Sequence, residues 1–265
     1  MLVNKFSALT IVAAVGAMPA VAQAQDNDED SGVYIGLSAG VSLPEDSQNS
    51  GEFDATVPST ADFDEIPAGT PLGWNTEFDT GFSIAGQLGY AFGNGLRVEL
   101  EGTYTETGVD THTGLTVGGA NIDAVDVAVL TRGAPDAANP TVGAVIADGQ
   151  GQVSTLGIFG NVFYDIRTGS GFKPYLGAGV GYQSVDVEYI PSEVLVGDDS
   201  DGVFAYQLMA GASFELTDSA EIFGQYTYRA GFDDADIELD LLPATLGVEN
   251  AQSIISAGVR FKLGG

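Results

Sequence analysis

Eight stretches of the chain alternate apolar and polar side chains with a period of two: 32–43, 81–92, 96–107, 153–166, 173–184, 203–216, 220–230 and 252–263. That period is the signature of a β-strand with two unlike faces. Each stretch matches or slightly exceeds the 9–11 residues that a tilted strand needs to cross the apolar layer of a bilayer. The last is representative: Val259, Phe261 and Leu263 alternate with Arg260 and Lys262. The links between strands fall into two classes. "GNG", "TGSG" and "TDS" join the second to third, fourth to fifth and sixth to seventh stretches, and all three are tight-turn compositions. The other four links, roughly 44–80, 108–152, 185–202 and 231–251, are long. Short and long links alternate throughout, which predicts an all-β fold: an eight-stranded antiparallel up-and-down transmembrane β-barrel with short periplasmic turns and four long outer loops. A soluble sandwich has no reason to sort its loops by end.

Splitting each strand by parity separates an apolar face from a polar one. The polar set contains Arg97, Glu99, Glu101, Asp165, Glu215, Glu221, Arg229, Arg260 and Lys262, with Asn161, Gln183, Gln207 and many glycines. A soluble lipocalin-like barrel would turn the apolar face inward, a membrane barrel outward. Two features favour apolar-out. Gly177, Gly179 and Gly181 occupy consecutive positions on the polar face of one strand; an exposed strand is weakened by such a row, whereas a narrow lumen gains room for large neighbours. Tyr and Phe also gather near strand ends on the apolar face, as in aromatic girdles at membrane interfaces. The polar set then becomes a lumen network, structural or gate-like, filled out by Phe159, Phe163 and Phe223. Arg260 and Lys262 are expected to face carboxylates such as Glu99 and Glu101.

Charge sharpens this picture. The chain has eight Lys and Arg against 37 Asp and Glu. Four of the eight cations lie on the inward face, where unpaired carboxylates would be costly, while the long links hold many carboxylates and Arg132 as their one cation. So acidic a chain is unsuited to nucleic acid. The absence of cysteine excludes disulfides and thiol chemistry. Residues 1–24 read as a cleavable export signal, with Lys5, the apolar "FSALTIVAAVGAM", and Ala22-Gln23-Ala24 as the cleavage pattern. Residues 25–31 form an acidic leader and 32–265 the barrel domain. Asp26, Asp28 and Asp30 lack the Gly turn and final carboxylate of a calcium loop.

Several stretches resemble the eight-stranded outer-membrane barrel family that includes opacity proteins and OmpA-like porin-family barrels. They are "STLGIFGNVFYDI" (154–166), with Asn161, Tyr164 and Asp165 at an Asn-x-x-Tyr-Asp strand ending, "KPYLGAGVGYQ" (173–183), "FAYQLMAGASFEL" (204–216), and the terminal "SAGVRFKL". The resemblance implies that Gly258, Phe261 and Leu263 act as the last-strand signal read by the barrel-assembly machinery, although Leu263 and two glycines stand where the family usually ends on an aromatic. It also implies location in the Gram-negative outer membrane, among outer-membrane lipids.

Three functional classes remain. The first is a structural and surface-interaction barrel, expected as a monomer, with at most a narrow or gated pore, since eight strands enclose just enough space for side chains. The second is an OmpW-type channel for small apolar molecules, which needs an apolar inner trough. The third is a lipid-modifying enzyme, for which the sole histidine, His112 in "VDTHTG", would need a positioned hydroxyl; none is legible, and a loop histidine is ordinarily solvated. No cofactor is implied. The acidic runs "GDDSDG" (197–202) and "DDADIELD" (233–240) could take Ca²⁺ or Mg²⁺, or simply repel one another and keep exposed loops extended. The apolar parts of 108–152 predict either prolonged flanking strands or a small lid.

Overall fold

The computed structural model describes residues 31–263. The proposed export signal and nearly all of the acidic leader lie outside the described residues. Strands β1 (Ser31–Pro44), β2 (Ser47–Phe53), β3 (Pro71–Phe78), β4 (Gly81–Phe92) and β5 (Leu96–Val117) come first. A two-residue β6 (Ala120–Asn121) and short helices α1 (Ala128–Thr131) and α2 (Val142–Ile146) follow. Then come β7 (Gly151–Asp165), β8 (Phe172–Tyr189), β9 (Gly197–Thr217), β10 (Ala220–Gly231), β11 (Ala235–Glu238), β12 (Ala244–Val248) and β13 (Ala251–Leu263).

Eight of these strands close a ring, each antiparallel to its neighbours: β1, β4, β5, β7, β8, β9, β10 and β13. They contain the eight stretches read from the alternation, except that β7 ends at Asp165, one residue short of the expected 166. Closure joins the ends of the described chain, with Val33 opposite Leu263 and Ser42 opposite Ile254. No strand of the ring presents an unpaired edge over its paired length, which removes the open backbone that lipid could not satisfy.

The strands are longer than their alternation suggested. β5 runs 22 residues, β9 21 and β8 18, well beyond the 9–11 needed to cross a bilayer. The remaining strands prolong the ring in the same direction. β2 follows β1 after two residues, β3 leads into β4, β10 into β11, and β12 into β13. They pair as β11–β12–β2–β3–β5, so part of the wall rises above the ring as a second sheet. β5 serves both: it pairs with β7 up to Gly108 and with β3 from Val109 onward. The long links are therefore not extended solvated loops. They are largely folded wall: in 108–152, β5 is prolonged to Val117 and α2 packs against it, while β7 begins only at Gly151, so one flanking strand is extended and not both.

The two faces of this wall exchange character with height. Around the ring, outward residues such as Leu37, Leu176, Val180 and Phe204 are exposed, and the inward set is polar. Aromatic pairs mark both rims of the apolar belt: Tyr90–Phe92 near the short turns, Phe82–Tyr104, Tyr182–Phe204 and Tyr206–Phe232 near the loops. Beyond the loop-side rim the inward positions become apolar. On β8, Gln183 points inward just below Val185, Val187 and Tyr189, while Ser184 and Asp186 point outward. The inward Phe53, Leu72, Trp74, Val109, Leu115, Ile237, Leu246 and Val248 join them in one buried cluster. The chain thus has a polar-lined lower barrel surmounted by an apolar-cored cap.

β9 and β11 are not joined backbone to backbone. Asp201 Oδ2 accepts from the Asp236 N–H at 3.1 Å, Asp199 Oδ2 from the Glu238 N–H at 3.0 Å, and Asp240 Oδ2 from the Asp198 N–H at 2.9 Å. Carboxylates of both acidic runs are thereby committed to an edge that strand pairing leaves open, and a hydrogen bond to a charged acceptor is worth about 1.5–3 kcal/mol. The double variant Asp199→Ala/Asp201→Ala should raise amide exchange at Asp236 and Glu238 by roughly tenfold or more, from the loss of about 1.4 kcal/mol or above. Exchange in β7 and β8 below the cap should be unchanged; unaltered protection of β11 would show that something else holds the seam.

Candidate functional site

The lumen is built in tiers by the inward residues of the eight strands. At the short-turn end, Arg97 on β5 donates through Nε to Asp165 Oδ2 at 2.7 Å and through Nη1 to the Tyr34 hydroxyl at 3.0 Å. The Tyr34 hydroxyl donates a hydrogen bond to Glu99 Oε2 at 2.8 Å, and Glu99 also lies 3.9 Å from Arg97 Nη1. The Arg97 guanidinium stands over the Phe163 ring at 4.6 Å. Arg260 on β13 pairs with Glu221 Oε1 at 3.0 Å and stacks on Phe223 at 3.9 Å. The direct partner of Arg260 is therefore Glu221, its opposite number on β10, and not Glu99 or Glu101. Cross-strand neighbours on one face are the shortest reach available in a sheet. Glu215 pairs with Lys173 at 2.6 Å, a cation that the parity reading left out although it opens the 173–184 stretch. Lys262 lines the mouth of the barrel together with Arg167, Lys173 and Asp218.

The next tier centres on Arg229, buried to 2% exposure. Its Nη2 contacts Glu101 Oε1 at 3.3 Å and donates to Gln207 Oε1 at 2.8 Å, while Nη1 donates to Thr103 at 3.3 Å. Phe159 lies beneath the guanidinium at 4.4 Å. Gln207 Nε2 then donates to Asn161 Oδ1 at 2.8 Å, and Asn161 Nδ2 to Glu99 at 3.4 Å. The two tiers are one network running from Arg229 to Asp165. The glycine row makes room for it. Gly177, Gly179 and Gly181 lie opposite Phe163, Asn161 and Phe159, and a Cβ at any of the three would strike the facing side chain. All nine inward charges read from the sequence line the ring; Phe261 and Leu263 of the terminal signal face outward, and a Cβ on Gly258 would strike Phe223.

The cap holds a second polar arrangement that the sequence concealed. His112 is not a solvated loop residue; it sits on the prolonged β5 and is 3% exposed. Its ring meets Tyr189 edge-on at 4.8 Å and Trp74 at 6.1 Å. Nδ1 is 2.9 Å from Thr76 Oγ1. A hydroxyl does therefore meet the histidine, but both groups are buried in a packed core. Thr76 lies 36 residues away in sequence, so only the β3–β5 register, with Thr76 opposite His112, brings them together. Among the described residues no group of three or more His, Cys, Asp or Glu is placed to hold a metal ion. Among the described residues no helix is long and apolar enough to cross a membrane, which says nothing against crossing by strands.

Residues 10–261 match the model of the family described as outer membrane protein beta-barrel domain. No curated protein matches the sequence significantly. Among solved structures, the outer membrane protein OprG from Pseudomonas aeruginosa is similar at 16% identity and TM-score 0.53, covering 88% of this chain and 98% of that one. Neisserial surface protein A is matched at 19% identity and TM-score 0.44, with 88% and 98% covered. At these identities the likeness to OprG concerns the fold alone.

Two outcomes follow from the buried groups. Glu101→Leu leaves the Arg229 charge without its carboxylate and should cost about 3–5 kcal/mol in urea unfolding from lipid vesicles, with Glu101→Leu/Arg229→Leu costing less; a double variant no more stable than the single would refute the pairing. Burial pushes the His112 imidazole down to about 4 from 6.5, so the folded cap holds it neutral while the unfolded chain protonates. The cap should have its full stability above pH 6.5 and lose roughly 3 kcal/mol as pH falls to about 4. Denaturant titration followed by Trp74 emission measures this, and His112→Phe should remove the dependence within that window.

Proposed function

Because the chain belongs to the outer membrane protein β-barrel family, we propose that it is a monomeric structural and surface-presenting barrel of the Gram-negative outer membrane, with its lumen closed and its cap outside the cell. The observation that carries this reading is the vertical order of the interior. Paired and stacked charges fill the lower lumen, and an apolar core stands above it. Water and ions would have to cross both, and the first is held by cation–aromatic contacts and ion pairs that desolvation strengthens.

Its immediate partners are then lipids around the apolar belt and the assembly machinery at Gly258, Phe261 and Leu263 on the closing strand. The acidic exterior of the cap serves solubility and spacing from the anionic cell surface. Several carboxylates of 197–202 and 233–240 already accept backbone hydrogen bonds, so divalent cations would meet the cap as a diffuse atmosphere and not in a dedicated loop. An OmpW-type channel for apolar molecules is the alternative reading, but the inward face at membrane height carries Arg97, Glu99, Glu101 and Arg229, a poor path for an apolar solute. A lipid-modifying activity at His112 is disfavoured by the burial of both His112 and Thr76.

Single-channel recording in planar bilayers tests the closed lumen. The wild-type protein should show no discrete conductance steps, and Arg260→Ala and Glu99→Ala should stay silent because the cap is untouched. Discrete wild-type steps that either substitution alters would establish a gate in place of a plug.

A further inference from the structure

The basic residues of this chain are gathered at one place. The sequence holds eight Lys and Arg, or seven without Lys5 of the export signal. Five of the seven, Arg97, Arg167, Lys173, Arg260 and Lys262, line the mouth at the short-turn end of the ring. Four carboxylates share that lining, and three of them are paired with Arg97, Lys173 and Arg260. The mouth thus sets five cations against four carboxylates, in a chain whose formal net charge is −29. Arg167 is exposed in the β7–β8 turn and makes no ion pair among the described residues. The mouth is open. It encloses about 740 Å³ of empty space, part of it solvent, and Lys173 and Lys262 are only partly buried at its rim.

The described chain begins on the rim of this mouth. β1 opens at Ser31, and Gly32 is part of the lining. Residues 25–30, the leader just before β1, carry four carboxylates, Asp26, Asp28, Glu29 and Asp30, and no basic side chain. Six residues reach about 20 Å when extended. The β9–β10 turn lies two strands from β1, past β13 to β10, or about 10 Å at the usual spacing of neighbouring strands. Lys262 is nearer still, opposite Tyr34 on the adjoining strand. Elsewhere the leader meets charge of its own sign. The two remaining cations are Arg229, buried within the lumen, and Arg132, held by carbonyls of the cap at the far end. A tether this short gives the leader an effective concentration of about millimolar order, so several weak surface pairings add up to a preferred position.

We propose that the cationic mouth is the docking site of the chain's own acidic leader, residues 25–30, which lies across it from the periplasmic side as a charged latch. Lys262 and Lys173 at the rim and Arg167 on the opposite side of the ring receive its carboxylates. Arg97 and Arg260 lie deeper, each already paired, and keep the mouth positive behind them. The site is at the end away from the cap and does not depend on whether the lumen conducts.

Lys173 and Lys262 are the only lysines outside the export signal, so lysine cross-linking reads this mouth alone. The protein purified from the outer membrane, its intact mass beginning at Gln25, is placed in lipid nanodiscs at pH 7 and about 20 mM salt. A water-soluble carbodiimide then joins carboxyl to amine with loss of one water, and digestion with mass spectrometry locates the amides. An amide between Lys173 and Glu215, which are 2.6 Å apart, is the internal control. The wild-type protein should also give amides from Lys262 or Lys173 to residues 25–30. These should fall about fivefold at about 0.5 M NaCl, where exposed pairings are screened. They should fall roughly two- to threefold in Arg167→Gln, whose heat-modifiable gel mobility should match the wild type. A second readout needs no lysine. The chain has no cysteine, so a nitroxide on Gln25→Cys should broaden the amide resonances of Thr168 and Ser219, on turns that do not adjoin β1, and the same salt should restore them. Leader amides absent where the control forms would overturn the proposal, as would amides and broadening indifferent to salt and to Arg167→Gln.

Discussion

A closed wall that passes from lipid into water must exchange the character of its two faces at the boundary. The rest of this structure follows from that constraint. Within the apolar belt the outer face has to be apolar, so the inner face takes the polar residues. Above the belt the outer face meets water and turns acidic, and the inner face is free to become a hydrophobic core. The exchange occurs within a few residues on β8, where Tyr182 faces out, Gln183 in, and Val185 in again beneath the cap. One strand geometry serves both halves, because side-chain alternation is a property of the backbone and not of the solvent.

The scarcity of cations takes its meaning from the lower half. Arg97, Arg229 and Arg260 are all nearly buried, each against a carboxylate and an aromatic face. A guanidinium suits that position because it can satisfy an ion pair in its plane and stack through its faces at once. The glycines opposite Phe159 and Phe163 complete the tier by removing side chains where the rings need volume. In the cap, by contrast, carboxylates do the connecting. Asp199, Asp201 and Asp240 take backbone N–H groups that no strand pairs, and Arg132 gathers the carbonyls of Pro58, Phe63 and Asp64.

The alternation, the sorting of short and long links and the parity of the charges were all legible because they are local properties with a period of two. They placed every strand of the ring and its inward charges other than Lys173. They failed at the upper end of β8 because "SVDVEY" keeps the period but reverses its polarity, so a reading that follows one apolar face stops where that face changes sides. His112 was visible as the sole histidine, yet its hydroxyl partner belongs to another strand, and neither residue carries a local sign of the other.

The sequence by itself determined a β-barrel with eight spanning strands, an apolar outside and a charged inside, since those depend on alternation and on the cost of leaving backbone or charge unsatisfied in lipid. Only the tertiary structure decided which carboxylate each arginine meets, that the acidic links fold into a cored cap, and that Ser47, Asn49, Thr76 and His112 form one hydrogen-bonded chain. Those outcomes rest on register between distant strands, and register is settled when the ring closes and all its side chains must pack at the same time.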